Sequence, residues 1–226
     1  IAKDYKELSV KAFEVIIGVV KSNPYAMLGL ATGTTPLGLY HRMIEDHKEH
    51  GTSYEHIRTM NLDEYKGLPK DHPQSYAYFM RENLFRHLDI EENNTFIENG
   101  MAMDERAECE RYNKLLEEMP RDIQLLGLGS NGHIAFNEPN TPFGIETHVV
   151  NLTENTIKDN ARLFADISEV PRKAFTMGIQ QIMQAKQILV LASGKNKAEA
   201  VYNMVRGKIT EEVPASVLQL HPNCIL

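Results

Sequence analysis

Apolar positions recur at helical spacing from Asp4 to Lys21, where Tyr5, Leu8, Phe13, Val15, Ile16, Val19 and Val20 mark one face of an amphipathic helix. A short run that is apolar on both faces follows, Tyr25 to Ala31, as expected of a central parallel strand. A helix is predicted over Leu37–His50, with Thr35 as N-cap and Pro36 at the first helical position. The alternation continues with a strand from Ile57 to Leu62, a helix from Gln74 to His87, a strand over Thr95–Ile97 and a helix from Asp104 to Glu118. Strands are expected at Asp122–Leu128, Thr147–Leu152, Lys173–Met177 and Gln187–Ser193. Helices are expected at Glu154–Phe164, at Ile179–Ala185 and from the Gly194–Lys197 loop to Arg206–Gly207. Pro214–Leu220 reads as a last strand, and Cys224–Leu226 as an apolar triplet resembling an interrupted one. Strand and helix in alternation, with apolar strands, predict an α/β fold. The expected form is one doubly wound, mostly parallel, Rossmann-like sheet with helices on both faces, a single domain over residues 1–226.

Composition narrows the class without changing that picture. The 226 residues, 42% hydrophobic and 24% charged, suit a globular chain with a substantial core. A formal net charge of -7 leaves no concentrated basic face for nucleic acid, so no nucleic-acid partner is expected. No apolar run approaches the ~20 residues that span a bilayer, and no signal peptide opens the sequence, so no membrane association is expected. Cys109 and Cys224 lack CxxC spacing, which predicts reduced thiols and a cytoplasmic location. His47 and His50 lack the HExxH spacing of zinc proteases, and no metal site is expected. The opening Ile1 and the closing apolar triplet lead to the expectation that both natural termini lie beyond this sequence.

The chemistry-bearing residues fall where strands end. In open α/β sheets ligands bind beyond the carboxyl ends of the strands. Four unusual loops are predicted there: Gly33-Thr34-Thr35, Asp63-Glu64, Gly129 to His133, and Gly194 to Lys197. The Gly33-Thr34-Thr35-Pro36 turn at a helix start offers free N–H groups, hydroxyls and the positive end of a helix dipole, an anion cradle. The alternative is an ordinary capped helix. No Gly-Lys-Ser/Thr follows, so this is not a nucleoside-triphosphate loop. Lys197, at another helix start, could add a point charge to a phosphate or be a plain surface lysine. Asp63 sits at a strand end, either as a base for a proton beside a carbonyl or as a cap for the next segment, a part that Glu64 could also take. His133 and Glu138 lie five residues apart beyond a glycine turn. If the loop folds back, they form a proton-transfer group and the carboxylate that orients it; otherwise they are a solvated histidine and a capping acid.

These stretches carry a family resemblance. LGLATGTTPLGLY (Leu28 to Tyr40), NLDEY (Asn61 to Tyr65), GLGSNGHIAFNEP (Gly127 to Pro139) and LQLHP (Leu218 to Pro222) resemble the glucosamine-6-phosphate deaminases, and the likeness extends from about Leu28 to the C-terminus. The pair NLDEY with GHIAFNEP is the specific part. 6-Phosphogluconolactonases and sugar-binding transcriptional regulators share the fold and parts of the phosphate loop but lack that pair.

The resemblance implies hydrolytic deamination and aldose–ketose isomerisation of glucosamine 6-phosphate to fructose 6-phosphate and ammonia, in amino-sugar catabolism, with neither metal nor organic cofactor. It implies that His133 opens the sugar ring, that Glu138 and Asn131 orient and tune it, and that Asp63 moves the proton from C2 to C1. It places the phosphate against Gly33, Thr34 and Thr35 with Arg162 and Lys197 as cationic ligands. Two positions depart from the longer relatives. Asn131 stands where they carry Asp, so the pKa of His133 is expected to be raised less than beside an aspartate. His148 and Val150 stand where the hexameric forms carry basic residues for an activator, so simple kinetics are expected, and a monomer fits that absence. Two other readings remain at this point, a phosphosugar lactonase and a non-catalytic sugar-phosphate sensor.

Overall fold

Met27–Leu30 (β1) and Ile188–Leu191 (β8) are buried at every position, and Ile123–Gly127 (β5) at all but its last. Alternate residues of a strand face opposite sides of a sheet, so burial at consecutive positions means that both faces are covered. The computed structural model describes residues 1–152, 154, 157, 164, 166 and 169–226. Its central sheet has six strands in the order β4-β2-β1-β5-β8-β9, where β2 is Arg58–Asn61, β4 Thr95–Phe96 and β9 Cys224–Ile225. Every pairing in it is parallel. The flanking helices include α1 (Tyr5–Ser22), α2 (Leu37–His50), α3 (Tyr76–Asn83), α4 (Glu105–Glu118), α5 (Ile179–Ile182) and α6 (Ala198–Arg206). Asp4 caps α1 by accepting the N–H of Glu7 at 2.8 Å, and Asp104 caps α4 through the N–H groups of Arg106 and Ala107.

The expected α/β sheet is present, and a second sheet stands beside it. Asp63–Tyr65 (β3), Lys173–Thr176 (β7) and His148–Asn151 (β6) form an antiparallel ladder in the order β3-β7-β6. The strands expected at Thr147–Leu152 and Lys173–Met177 therefore exist but belong to this side sheet, because apolar content marks a strand without naming its neighbours. One residue, Leu62, separates β2 from β3, so a single stretch of chain serves both sheets.

Three expectations are corrected. Pro214–Leu220 is a 3-10 helix with Pro at its start, and the last strand is Cys224–Ile225, paired parallel to β8. Five consecutive buried residues, Pro214 to Leu218, carry no periodicity that separates strand from helix. The helix expected over Gln74–His87 is α3 followed by a 3-10 turn, Phe85–His87, with a break at Leu84. Thr35 does not cap α2. The helix starts after Pro36 with no side-chain cap of its own, and the hydroxyl of Tyr5 on α1 accepts the N–H of Gly38 instead. The helix expected at Glu154–Phe164 lies largely outside the described residues.

Candidate active site

The direction of winding reverses between β1 and β5: β2 and β4 lie on one side, β8 and β9 on the other. A crevice opens at such a switch point, beyond the carboxyl ends of the strands. The Gly33 turn leaves β1, Asp63 follows β2, the Gly129 loop leaves β5 and the Gly194 loop leaves β8. These four strands are neighbours and parallel, so all four loops gather at one end of the sheet.

The loop after β5 does fold back. Gly129 donates its N–H to the carbonyl of His133 at 2.9 Å, Gly132 donates to the carbonyl of Gly129 at 3.0 Å, and Ile134 bridges to Asn137. The turn requires a positive φ of 52° at Ala135. Asn137 is fully buried and holds the turn shut by donating to the carbonyls of Ile134 (3.0 Å) and Met177 (2.9 Å). A side chain at Gly129 would overlap the His133 ring, so glycine there is a condition for the imidazole's position.

Within this loop three side chains form one bonded unit. Nδ1 of His133 lies 2.7 Å from Oδ1 of Asn131 and 3.5 Å from Oε1 of Glu138, and Nδ2 of Asn131 donates to Oε2 of Glu138 at 2.7 Å. His133, Asn131 and Glu138 are thus brought together. Burial lowers the pKa of His133 from its ordinary value; the charge of Glu138 opposes that shift, and Lys197 adds to it. The expectation of a raised value is therefore corrected: desolvation outweighs the single carboxylate.

Asp63 opens β3, opposite Thr176 of β7, and is 7% exposed. Burial first, and the neighbouring charge of Glu64 second, push its carboxyl up to about 8. Glu64 does what was one alternative for either residue. Its carboxylate accepts the N–H groups of Tyr76 (2.9 Å) and Ala77 (2.8 Å) at the start of α3 and of Tyr65 (2.8 Å). Burial still raises Glu64 to about 7 against those three bonds. Glu98, which the sequence reading passed over, is 1% exposed, and neither of its carboxyl oxygens has a hydrogen-bond partner among the described residues. Burial, and then the charges of Asp63, Glu64 and Glu108, place it well above the carboxylate range. The signal was available, since Glu98 follows a strand end just as Asp63 does.

Aromatic rings tie the strand that Asp63 opens to the His133 loop. Phe136 stacks on Tyr76 at 6.2 Å between centroids and leans on Tyr65 at 6.0 Å. The hydroxyl of Tyr76 donates to that of Tyr65 at 3.1 Å. The backbone N–H of Phe136 donates to Oγ1 of Thr176, the residue paired with Asp63, at 3.2 Å. Met177 donates to the carbonyl of Leu62 at 2.7 Å while its own carbonyl takes the Asn137 amide. Asp63 and the His133 loop thus share the end of β7 as a common support.

Gly33, at φ +89°, Thr34 and Thr35 form the expected turn. Thr34, Thr35, Leu37, Gly38, His41, Tyr5 and Ser193 line a cavity of about 490 Å³ between this turn and the end of β8. Lys197 closes a 3-10 turn, Lys195–Lys197, immediately before α6, and its charge reaches His133. Arg162 lies outside the described residues. Among the described residues no cluster of three His, Cys, Asp or Glu could hold a metal ion.

Residues 5–225 match the family described as glucosamine-6-phosphate isomerases/6-phosphogluconolactonase. A glucosamine-6-phosphate deaminase of Geobacillus sp. (strain WCH70) is 52% identical over 223 residues, 98% of this chain and 89% of that protein. One from Clostridium perfringens (strain 13 / Type A) is 49% identical over 227 residues, 100% of this chain and 94% of that protein. Among solved structures, a monomeric glucosamine-6-phosphate deaminase superposes with a TM-score of 0.94 at 49% identity, covering 99% of this chain and 93% of that one. A 6-phosphogluconolactonase from Trypanosoma brucei shares the fold, with a TM-score of 0.81 at 21% identity over 100% of this chain and 92% of that one. With a family match from end to end and relatives near half identity, the chain belongs to the glucosamine-6-phosphate isomerase/6-phosphogluconolactonase family.

Proposed function

We propose that this chain, acting as one α/β domain over residues 1–226, converts D-glucosamine 6-phosphate and water to D-fructose 6-phosphate and ammonia. The observation that carries the reading is that the His133–Asn131–Glu138 unit and Asp63 stand at the same end of the sheet, beyond β5 and β2 with β1 between them, on a shared support. Relatives near 50% identity that bear the name of this deaminase agree with it.

Each step asks for a group of the kind found here. Ring opening moves a proton from the anomeric hydroxyl to the ring oxygen, and a neutral imidazole does both parts near neutrality. Asp63 then removes the C2 proton of the open aldehyde and returns it to C1 through an enolamine, which makes C1 the reduced carbon and C2 the oxidised one. Water adds to the resulting ketimine and ammonia leaves. The overall oxidation level of the sugar is unchanged, so proton transfers and one water complete the balance. Asp63 serves both carbons only if they lie on one face of it. Its raised proton affinity suits a base, and the substrate's ammonium, arriving beside it, favours the ionised form.

The phosphate rests on the Gly33-Thr34-Thr35 turn, with Lys197 as a point charge and Arg162 as a second cationic ligand by family resemblance. Val150 packs in the side sheet against a small apolar cluster, and burial lowers the pKa of His148 against the opposing bond to the Glu146 carbonyl, so neither offers a cation for an activator phosphate. The protein acts as a monomer with hyperbolic kinetics. Its location is the cytoplasm, where phosphorylated sugars are metabolised; among the described residues no helix is long and apolar enough to cross a membrane.

Ammonia release from glucosamine 6-phosphate, measured with and without a chelator and in an Asp63→Asn variant, tests this. The expected result is release by the parent in both conditions and none by the variant. A parent that releases no ammonia removes the reading. A lactonase, which needs no carbon base, would keep most of its activity on a phosphosugar lactone in the variant.

A further inference from the structure

The phosphate turn is held from outside by a residue remote in sequence. Tyr5, in the first turn of α1, places its hydroxyl 2.9 Å from the N–H of Gly38 and 3.0 Å from each of the carbonyls of Thr34 and Thr35. A phenol has one proton to give and lone pairs to accept with, so this hydroxyl accepts from Gly38 and shares its proton between the two carbonyls. Gly38 carries one of the first N–H groups of α2, which the helix leaves without an internal partner, and no side chain of α2's own start caps it. The two helices meet closely here. A side chain on Gly38 would overlap Oγ of the buried Ser9 and lie 3.2 Å from the Tyr5 ring.

We propose that Tyr5 is a positioning residue for the phosphate-binding turn, fixing the Thr34–Thr35 peptide so that the Thr35 N–H is presented to the substrate's phosphate. The inference rests on the proposed deaminase reading of that turn. A trans peptide is planar, and its C=O and N–H point in opposite directions. Fixing the Thr34 carbonyl toward Tyr5 therefore aims the Thr35 N–H away from α1. The carbonyl of Thr35 precedes Pro36, which has no N–H, so the second contact sets only the carbonyl and the approach to the helix. The Tyr5 hydroxyl touches no reacting atom. Its effect falls on how well the turn is ordered before the anion arrives, which is a binding effect and not a chemical one.

The test is Tyr5→Phe in the full chain, with the ring retained. Four quantities are read: kcat and KM for glucosamine 6-phosphate, the inhibition constant of inorganic phosphate, the inhibition constant of glucosamine lacking the phosphate, and the melting temperature. The expected result is a parallel rise of about three- to tenfold in KM and in the inorganic phosphate constant, the range one net hydrogen bond supports, with kcat within about twofold and the glucosamine constant unmoved. Unchanged KM and phosphate binding overturn the proposal. So does a fall in kcat with phosphate binding intact, which a generally loosened structure would give. A parent enzyme that neither releases ammonia nor binds inorganic phosphate removes the deaminase reading and this proposal together. A parent that does both, beside an indistinguishable variant, removes the Tyr5 proposal alone.

Discussion

Asn131 decides where the imidazole proton of His133 sits. Its amide nitrogen faces Oε2 of Glu138 at 2.7 Å, and a carboxylate only accepts, so the amide oxygen must be the atom facing Nδ1 of His133 at 2.7 Å. An acceptor there puts the proton on Nδ1 and leaves Nε2 bare, the nitrogen able to take a proton from a substrate hydroxyl.

Two variants follow from that arrangement. Asn131→Leu removes the orienting acceptor, and kcat is expected to fall by about 10²-fold, within the usual worth of a placed acid–base group. Asn131→Asp keeps the acceptor and adds a charge that favours the imidazolium. The pKa of His133, followed by NMR titration, should move up from the depressed value that burial gives it. An unmoved titration would mean that the loop does not couple the two side chains.

As the proposed carbon base, Asp63 should set the acid limb of the rate profile. A base works when deprotonated, so with a carboxyl pushed up to about 8 in the empty site, kcat/KM should climb as pH rises through about 8. The limb of kcat, which reports the loaded enzyme, should lie lower because the substrate's ammonium favours the carboxylate. Initial rates from about pH 4, near the ordinary carboxylate value, to about pH 10, roughly 2 units above the raised value of about 8, check both. Asp63→Asn should lower kcat by at least about 10²-fold.

The same groups make stability depend on pH in a direction opposite to that of most enzymes with paired carboxylates. Asp63, Glu64 and Glu98 all have raised proton affinity in the folded chain. Between their ordinary and raised values the folded state holds more protons than the unfolded one, so stability falls as pH climbs from the ordinary carboxylate range through about 7 for Glu64 and about 8 for Asp63. The ligand-free melting temperature should therefore drop across that window, and Asp63→Asn should flatten its upper part. Glu98→Leu, which removes a carboxyl with two unpartnered buried oxygens, should stabilise by about 1–3 kcal/mol on the alkaline side. A melting temperature that rises steadily to pH 9 (about 1 unit above the Asp63 value) would contradict this account.

Gly129→Ala tests the tightness of the histidine loop. The added methyl and the His133 ring compete for one space, so the ring must shift. A displacement of about 1 Å in a catalytic group costs on the order of 10²-fold in rate, and kcat should fall accordingly with the far-ultraviolet spectrum unchanged. Retained activity would show that the ring has room the structure does not give it.

Much of this architecture could be read before folding. β1 and β8 are apolar without interruption, β5 is broken only by Gln124, and each ends in a glycine-containing loop, which was enough to place three strands and the crevice end of the sheet. The meeting of His133 with Glu138 was legible from their spacing across a turn, and Asn131 joined them through the family resemblance. What was not legible depends on partners distant in the chain. Nothing in Thr147–Leu152 or Lys173–Met177 says that the second pairs with Asp63–Tyr65 and the first with the second, rather than either with β5. Tyr5 looks like one more apolar position of α1, yet it caps a helix more than thirty residues on, a part assigned to Thr35. The direction of the His133 shift needed a comparison of burial with charge, and burial is a property of the whole fold.

Leu62 is a one-residue joint between two sheets whose strands run under different pairing rules. Because successive side chains on extended chain alternate sides, adding or deleting one residue at this joint forces a choice. Either β3 keeps its register with β7 and the distortion falls on Leu62 and its bond to Met177, or β3 slips by one and turns Asp63, Glu64 and Tyr65 over together. The slip gives up the three N–H groups that Glu64 accepts and the packing of Tyr65 on Tyr76 and Phe136. Chain length between Asn61 and Asp63 is therefore held by packing and by chemistry at once, and insertions there should lose turnover and thermal stability together.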